Sequence, residues 1–523
     1  MCAAAAAGMA TSAVPFPPAG AGAAGAAVAA AGDAGADEPM YGDHDLVMSQ
    51  AADCRRYADL HGMLAPGGAQ VGERVWIRAR VARVRAKGNS CFLVLRQGVY
   101  DTLQACYFKD KERPEASKAF LKWLSGLAPE SIVDVCGVLQ AAAVDSTSIR
   151  GAELGIERLF VISRAEPQLP FQLDDAMRTE EEIVASEATD RPWSRVPQEQ
   201  RLDHRWIDLR TAPSASVLRV RSAVCQLFRE ALYARGFVEI QTPKLIGGES
   251  EGGAAVFTTE YFEQTACLAQ SPQLYKQAAI CGDMGRVFEV GPVFRKEKSH
   301  TRRHLCEFTG LDLEMEIKHH YNEALDVVHA TLAHTFNGLE QRFAREMAAV
   351  RTQYPSRPAR ISDQPCIVHW EEGMAMLKAA GADVDETADL TTALERQLGE
   401  LVAAKHGVDL YILDRFPAGA RPFYTMPCAD NPALTNSYDV FLRGEEICSG
   451  AQRVHVPELL EQRIVAQGLP LDSLRWYVDA MRYGTPPHAG AGLGLDRVVF
   501  LYLALDNVRK ATMFPRDPNR LTP

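Results

Sequence analysis

The sequence predicts an α+β chain with two unlike halves. The first is an N-terminal five-stranded β-barrel, and the second a larger C-terminal domain in which strands alternate with helices. Three observations predict this. Two-residue alternation is concentrated between residues 74 and 163, helical periodicity recurs after residue 214, and 523 residues allow two large domains or about three ordinary ones. The apolar fraction of 47% and charged fraction of 24% are those of a globular protein, which excludes a mainly disordered, collagen-like or multi-span membrane chain. The net charge of −11, from 67 acidic and 56 basic residues, excludes a protein whose only task is to coat nucleic acid. Any contact with nucleic acid must use a local patch. Twelve cysteines without a CxxC pair fit reduced cytosolic thiols better than a disulfide framework or zinc site.

Residues 1–50 are expected to be a disordered alanine-rich tail. Residues 1–35 hold 17 alanines, and the first basic residue is Arg55, so neither a secretory signal nor a transit peptide is expected here. Such a composition buries too little apolar surface to offset ordering entropy, and it is too weakly hydrophobic to span a membrane. Residues 51–165 form the predicted barrel. In RVWIRARVARVR (74–85), Val75, Ile77, Ala79 and Val81 share one face, and Arg74, Arg78 and Arg80 the other. Lys87-Gly88-Asn89 is a turn, followed by strands at 91–97 and 102–108, a helix at 116–125, and strands at 131–140 and 159–163. Five short strands and one helix suit a small closed barrel, of which the oligonucleotide-binding barrel is a common case. Residues 71–122 carry 12 Lys/Arg against 5 Asp/Glu, a locally basic face on an acidic chain.

Residues 166–213, with Pro167, Pro170, Pro192, Pro197 and Pro213, read as a hinge or linker, and 214–523 as the second domain. Val217, Val220, Val224, Leu227, Phe228, Ala231 and Leu232 have helical spacing closed by Gly236. The strand 237–240 follows and stops before Pro243, and amphipathic helices are expected at 320–350 and 385–406.

Three segments carry the chemistry: GFVEIQTPKL (236–245), FRKEKSHTRRHLCEFTGLDLEME (294–316) and GAGLGLDRVVFLYL (490–503). Each alone has an ordinary reading as a turn, a solvated charged loop or a glycine-rich strand end. In this order they resemble the three motifs of the class II aminoacyl-tRNA synthetases. GGESEGGAAVF (247–257), LAQSPQLYKQ (268–277) and RGEEICSGAQRVH (443–455) are similar to the aspartyl enzymes of the archaeal and eukaryotic cytosolic type. The resemblance runs from about residue 55 to Pro523. It implies a catalytic domain built on an antiparallel sheet flanked by helices, a homodimer with the first motif at the interface, and an anticodon-binding barrel. It also admits membership of a multi-synthetase complex. Relatives often carry a lysine-rich N-terminal extension that supports tRNA binding; here the tail lacks lysine. The third motif departs mildly, with Ala491 among its glycines and Asp496 where glutamate is commoner.

The resemblance assigns roles that the residue types can perform. ATP contacts fall to Arg295, Glu297, Arg303, His304, Leu305, Phe308, Glu446, Gly494, Leu495, Asp496 and Arg497. Arg295 would fork onto the α-phosphate, a bidentate geometry lysine lacks. Phe308 and Arg497 would sandwich the adenine, with Arg497 also binding the γ-phosphate, Glu297 would accept from the adenine amino group, and Arg303 and His304 would reach the outer phosphates. Arg295 and Arg497 are the catalytic pair. Glycines 490, 492 and 494 would let the backbone approach the nucleotide. L-Aspartate falls to Ser250, Glu251, Gln273, Lys276, Arg295, Asp312, Ser449 and Arg453. Arg453 and Lys276 would grip the side-chain carboxylate, Gln273 and Asp312 the amino acid's other groups, and Glu251 would ride on a lid. Asp439, Glu446 and Ser449 offer hard oxygens that suit Mg²⁺. Arg85, Phe92 and Gln104 would read the anticodon of tRNA(Asp) by stacking and edge contacts. The expected activity is cytoplasmic aspartate–tRNA ligation. Its rivals are asparagine ligation, charging of both tRNAs, a non-catalytic tRNA-binding relative, and an ATP-dependent amide ligase on the same fold.

Overall fold

The computed structural model describes residues 39–44, 56–247 and 256–523. Most of the alanine-rich tail, and Ser250 and Glu251 of the expected lid, lie outside the described residues. The chain divides after Pro170 into two units.

The first unit comprises β1 (Tyr41–Asp43), β2 (Arg74–Lys87), β3 (Ser90–Gln97), β4 (Asp101–Phe108), α1 (Pro114–Ser125), β5 (Ile132–Ala141) and β6 (Ala152–Ser163). β2 pairs with β3 and β5, β3 with β4, β4 with β6, and β6 with β5, so five strands close a ring. Closure pairs each of these five strands on both sides. The alternation turns Ile77, Val81, Leu93, Leu95, Leu103, Val133, Val135 and Leu159 into a common core. Two expectations are corrected here. β6 begins seven residues before the predicted strand at 159, because Gly155, Glu153 and Glu157 mask its pattern. A Cβ at Gly137 would stand 2.1 Å from the Gly155 carbonyl oxygen, so these glycines serve a close backbone approach. The reading of 1–50 as disordered fails at residues 41–43. They pair in parallel with Leu159–Val161, and Tyr41 stacks on Phe120 at 4.8 Å.

Most of the segment read as a linker belongs to the second unit. It forms four short helices, α2 (Leu173–Met177), α3 (Glu180–Ser186), α4 (Gln198–Asp203) and α5 (Arg205–Asp208). Buried Arg205 donates to the carbonyls of Thr512 and Met513 at 2.9 and 3.0 Å, and Arg201 pairs with Asp208 at 2.6 Å. Proline-rich composition here separates helices instead of loosening the chain. α6 (Ala212–Tyr233) buries Val217, Val220, Val224, Leu227, Phe228 and Leu232. At roughly 1.5–3 kcal/mol for each side chain, this packing outweighs helix propensity.

The remaining elements are β7 (Val238–Glu239), β8 (Leu245–Ile246), β9 (Thr258–Tyr261), β10 (Gln264–Leu268), α7 (Gln273–Cys281), β11 (Arg286–Phe294), β12 (Glu307–Glu316), α8 (Asn322–Arg342), α9 (Ala344–Arg351), β13 (Ile367–His369), α10 (Trp370–Ala379), α11 (Thr392–His406), β14 (Leu410–Asp414), β15 (Ser437–Leu442), β16 (Glu445–Gln452), α12 (Pro457–Ala466), α13 (Arg475–Arg482), β17 (His488–Gly494) and α14 (Leu495–Tyr502). The sheet order is β13-β14-β15-β16-β17-β12-β11-β7. The inner six strands run antiparallel, and each edge strand is parallel to its neighbour. The helix expected at 320–350 breaks at Phe343. The one expected from 385 starts only at Thr392, where the Thr391 hydroxyl accepts from the Leu394 N–H.

Candidate active site

A cavity of about 310 Å³ is lined by the strands of the large sheet and the loops that leave them. It gathers Gln273, Arg295, Glu297, Arg303, His304, Leu305, Phe308, Asp312, Glu446, Ser449, Arg453, Gly494, Asp496 and Arg497 from four separate stretches of sequence. The β11–β12 hairpin sets Val293 opposite Phe308. This places the Arg295 guanidinium 5.4 Å from the Phe308 ring centre, a charge and an aromatic face side by side. A register shift between Val440 and Phe441 in the β15–β16 pairing turns both Glu446 and Ile447 toward the cavity that Ser449 also lines.

The floor is a buried ion-pair lattice. Arg453, 4% exposed, donates from Nε and Nη2 to the two oxygens of Glu314 at 2.9 and 3.1 Å. This bidentate fork holds the guanidinium plane fixed. Lys276, 1% exposed, sends Nζ to Asp312 at 3.0 Å and to the carbonyls of Ala491 and Leu313 at 3.1 and 3.3 Å, and lies 3.5 Å from Glu314. Burial opposes ionisation of Glu314, yet Arg453 and Lys276 hold its carboxyl below the usual range. Arg453 and Asp312 line the cavity and Lys276 does not, so the lysine stands behind Asp312, to which it is bonded.

The glycines of β17 serve these acids. A Cβ at Gly490 would come within 2.2 Å of a Glu314 oxygen, and one at Gly492 within 2.9 Å of an Asp312 oxygen. Both glycines make room for carboxylates, and Gly492 also lines the cavity. Gly494 meets only Arg497 carbons, at 3.7 Å or more. Leu495 is fully buried in the main core, away from the cavity lining. Asp496 is held by Arg221 at 3.2 Å, by the Thr309 N–H at 3.1 Å and by the Thr512 hydroxyl, so it braces the start of α14.

Around the rim, Arg497 donates to Glu446 at 3.0 Å and Arg303 to Glu395 at 2.6 Å. His304 is pushed toward neutrality by burial and then by Arg497. Burial disfavours the Glu446 carboxylate, but Arg497, Arg421, Arg303 and Arg295 together keep its pKa below the ordinary value. Asp439 lies behind the lining. Burial and the neighbouring Glu446 charge push it up to about 6, against the pull of Arg421. Arg421, which the sequence reading missed, bridges Asp439 at 2.7 Å and Ser449 at 3.1 Å and stacks 3.7 Å over Phe416. The signal for it was weak, because it sits in an Arg-Pro turn without periodicity. Asp439 Oδ1 is buried with no hydrogen-bond partner among the described residues. A hard cation fits an orphaned oxygen beside Glu446 and Ser449.

In the barrel unit, Arg85 pairs across the β2–β3 ladder with Phe92, its guanidinium 5.7 Å from the ring. Phe92 and Gln104 alternate with core residues and so face outward, and Gln104 donates to Glu153 at 2.7 Å. Exposed Phe108 meets Phe92 edge-on at 5.8 Å. It too was missed, because an aromatic at a strand end reads as core.

A cavity holding forked arginines beside an aromatic face, over a floor of buried ion pairs, can bind a nucleotide next to a small acid. The family model described as tRNA synthetases class II (D, K and N) matches residues 197–518. The chain belongs to the class II tRNA synthetases. Within that class it groups with the aspartate–tRNA ligases: it is 47% identical over 485 residues to the cytoplasmic aspartate–tRNA ligase of Homo sapiens, covering 92% of this chain and 94% of the relative. Aspartyl-tRNA synthetase from Entamoeba histolytica aligns with a TM-score of 0.83 at 41% identity, covering 93% of this chain and 97% of that one. The asparaginyl-tRNA synthetase of Pyrococcus horikoshii, complexed with asparaginyl-adenylate, aligns at 0.71 and 29%, covering 87% and 97%.

Proposed function

We propose that this chain is a cytoplasmic aspartate–tRNA ligase. It activates L-aspartate with ATP to aspartyl-AMP and pyrophosphate, then transfers the aspartyl group to the 3′ end of tRNA(Asp). The observation that carries the reading is the Arg453–Glu314 fork at the floor of the cavity that also holds Arg295. It presents a fixed, desolvated cation where a β-carboxylate would end. Asparagine would bring an amide N–H₂ to the same place and leave polar groups unpaired, which costs far more than a size mismatch does.

In the first step the substrate's α-carboxylate oxygen attacks the α-phosphorus and pyrophosphate leaves with its bonding electrons. Arg295 and Arg497 neutralise the charge that builds on the phosphoryl oxygens. Phe308 and Glu297 hold the adenine, and Arg303 and His304 face the leaving phosphates. Gln273 and Asp312 take the α-ammonium group. Ser250 and Glu251 belong to the lid of the same reading. Asp439, Glu446 and Ser449 would hold Mg²⁺, which supplies further positive charge to the phosphates. In the second step the terminal ribose hydroxyl attacks the adenylate carbonyl and AMP departs. Among the described residues no side chain is placed as general base, and positioning supplies the rate.

The barrel's basic face, with Phe92, Arg85 and Gln104, reads the anticodon. Phe108 widens that aromatic surface. The homodimer would form through the first motif, residues 236–245, which contains β7, and membership of a multi-synthetase complex belongs to the same reading. No described helix is long and apolar enough to cross a membrane. Charging tRNA(Asp) and tRNA(Asn) with labelled aspartate and asparagine tests the proposal. Aspartate on tRNA(Asp) is expected; asparagine as the amino acid loaded would contradict it.

A further inference from the structure

Behind the cavity wall lies a buried polar chain with a single consistent direction. His488, the first residue of β17, is fully buried, and its Nδ1 lies 2.9 Å from the Pro486 carbonyl oxygen. A carbonyl only accepts, so Nδ1 carries the proton and Nε2 presents a lone pair. Gln277 of α7, also fully buried, places Nε2 3.0 Å from that lone pair. Its orientation is thereby set, and Oε1 points the other way. That oxygen accepts from the Tyr477 hydroxyl at 3.0 Å and from Gln273 Nε2 at 2.8 Å. With its N–H₂ group turned inward, Gln273 turns its carbonyl oxygen to the cavity it lines.

We infer that Gln277 and His488 are positioning residues that lock the side-chain amide of Gln273 with its oxygen toward the bound amino acid, so that the site selects an α-ammonium group. The inference rests on the reading of the cavity as an aspartate-activating centre. Without the lock, the Gln273 amide can turn over and meet the ammonium with a donor instead of an acceptor. Burial also works in the lock's favour, since it favours the neutral form of His488. An imidazolium would offer a donor at Nε2 and reverse the direction of the whole chain.

The test uses pyrophosphate exchange by the full-length protein, with succinate, which has both carboxylates of aspartate but no ammonium, as a competitive probe. Gln277→Met and His488→Leu are expected to raise the aspartate KM by about 10–100-fold, with ATP KM, kcat and the succinate inhibition constant all within about threefold of wild type. His488→Gln supplies an acceptor oxygen and is expected to restore most of the aspartate KM. Tyr477→Phe removes one of two donors without freeing Gln277. It is expected to fold and to raise that KM only a few-fold, which keeps the test decisive if the larger changes unfold the protein. A parallel loss of succinate and aspartate affinity, or an unchanged aspartate KM in folded variants, overturns the lock. Wild-type protein that exchanges no pyrophosphate with aspartate instead overturns the functional reading beneath it.

Discussion

The cavity floor and the outer face of the barrel both present cations, but they do so in opposite ways. Arg453 and Lys276 are buried and bonded to carboxylates, whereas Arg85 stands exposed against a half-buried aromatic ring. A desolvated, pre-aligned charge acts strongly and is indifferent to salt. An exposed one steers and adds a few tenths to about 1 kcal/mol, and it weakens as ionic strength rises. The first arrangement suits choosing between two amino acids that differ by one atom group. The second suits holding a flexible single strand, where stacking carries the affinity.

The largest effect should follow from breaking the floor. Arg453→Ala is expected to lower kcat/KM for aspartate in pyrophosphate exchange by ~10³-fold or more while leaving ATP binding by calorimetry nearly intact. Glu314→Gln strips the counter-charge from two buried cations at a cost of about 3–5 kcal/mol. It should therefore lower the melting temperature as well as activity, which separates a charge lattice from a lone binding arginine.

A second effect concerns pH. The Asp439 carboxyl titrates near 6 when folded, above its unfolded value of about 3.9. Between those values the native state holds a proton that the unfolded state has released. The stability that this group lends to the metal-free protein is therefore lost as pH rises through the window. Mg²⁺ held as proposed would compete with that proton, so it should raise the melting temperature more at pH 7.5 than at pH 5. Asp439→Asn should abolish the difference.

On the barrel the effects should be smaller and confined to tRNA. Phe92→Ala is expected to slow charging about 10–100-fold with exchange unchanged, as one lost base stack predicts. Raising salt from 50 to 200 mM should weaken charging much more than exchange. Gln104→Ala, whose amide already has Glu153 as partner, should cost only a few-fold in charging KM.

Much of this division was legible in the sequence, because alternation along 74–108 and helical spacing along 217–232 report directly on which face is buried. The glycines of β17 were legible as close-approach positions, but not what approaches: Glu314 and Asp312 come from a neighbouring strand that only the sheet register brings near. Lys276 was legible as a motif residue. Its placement behind Asp312 was not, since a helix position says nothing of what lies across the sheet. Arg421 and Gln277 stayed hidden for the same reason. Their partners are 18 and 211 residues away, and neither sits in a pattern of its own.

The central claim is that a fixed buried guanidinium selects a β-carboxylate over its amide. The most direct measurement is the ratio of kcat/KM for aspartate to that for asparagine in ATP–pyrophosphate exchange by the wild-type protein. The account predicts a ratio of ~10⁴ or more; a ratio near one, or in favour of asparagine, would contradict it.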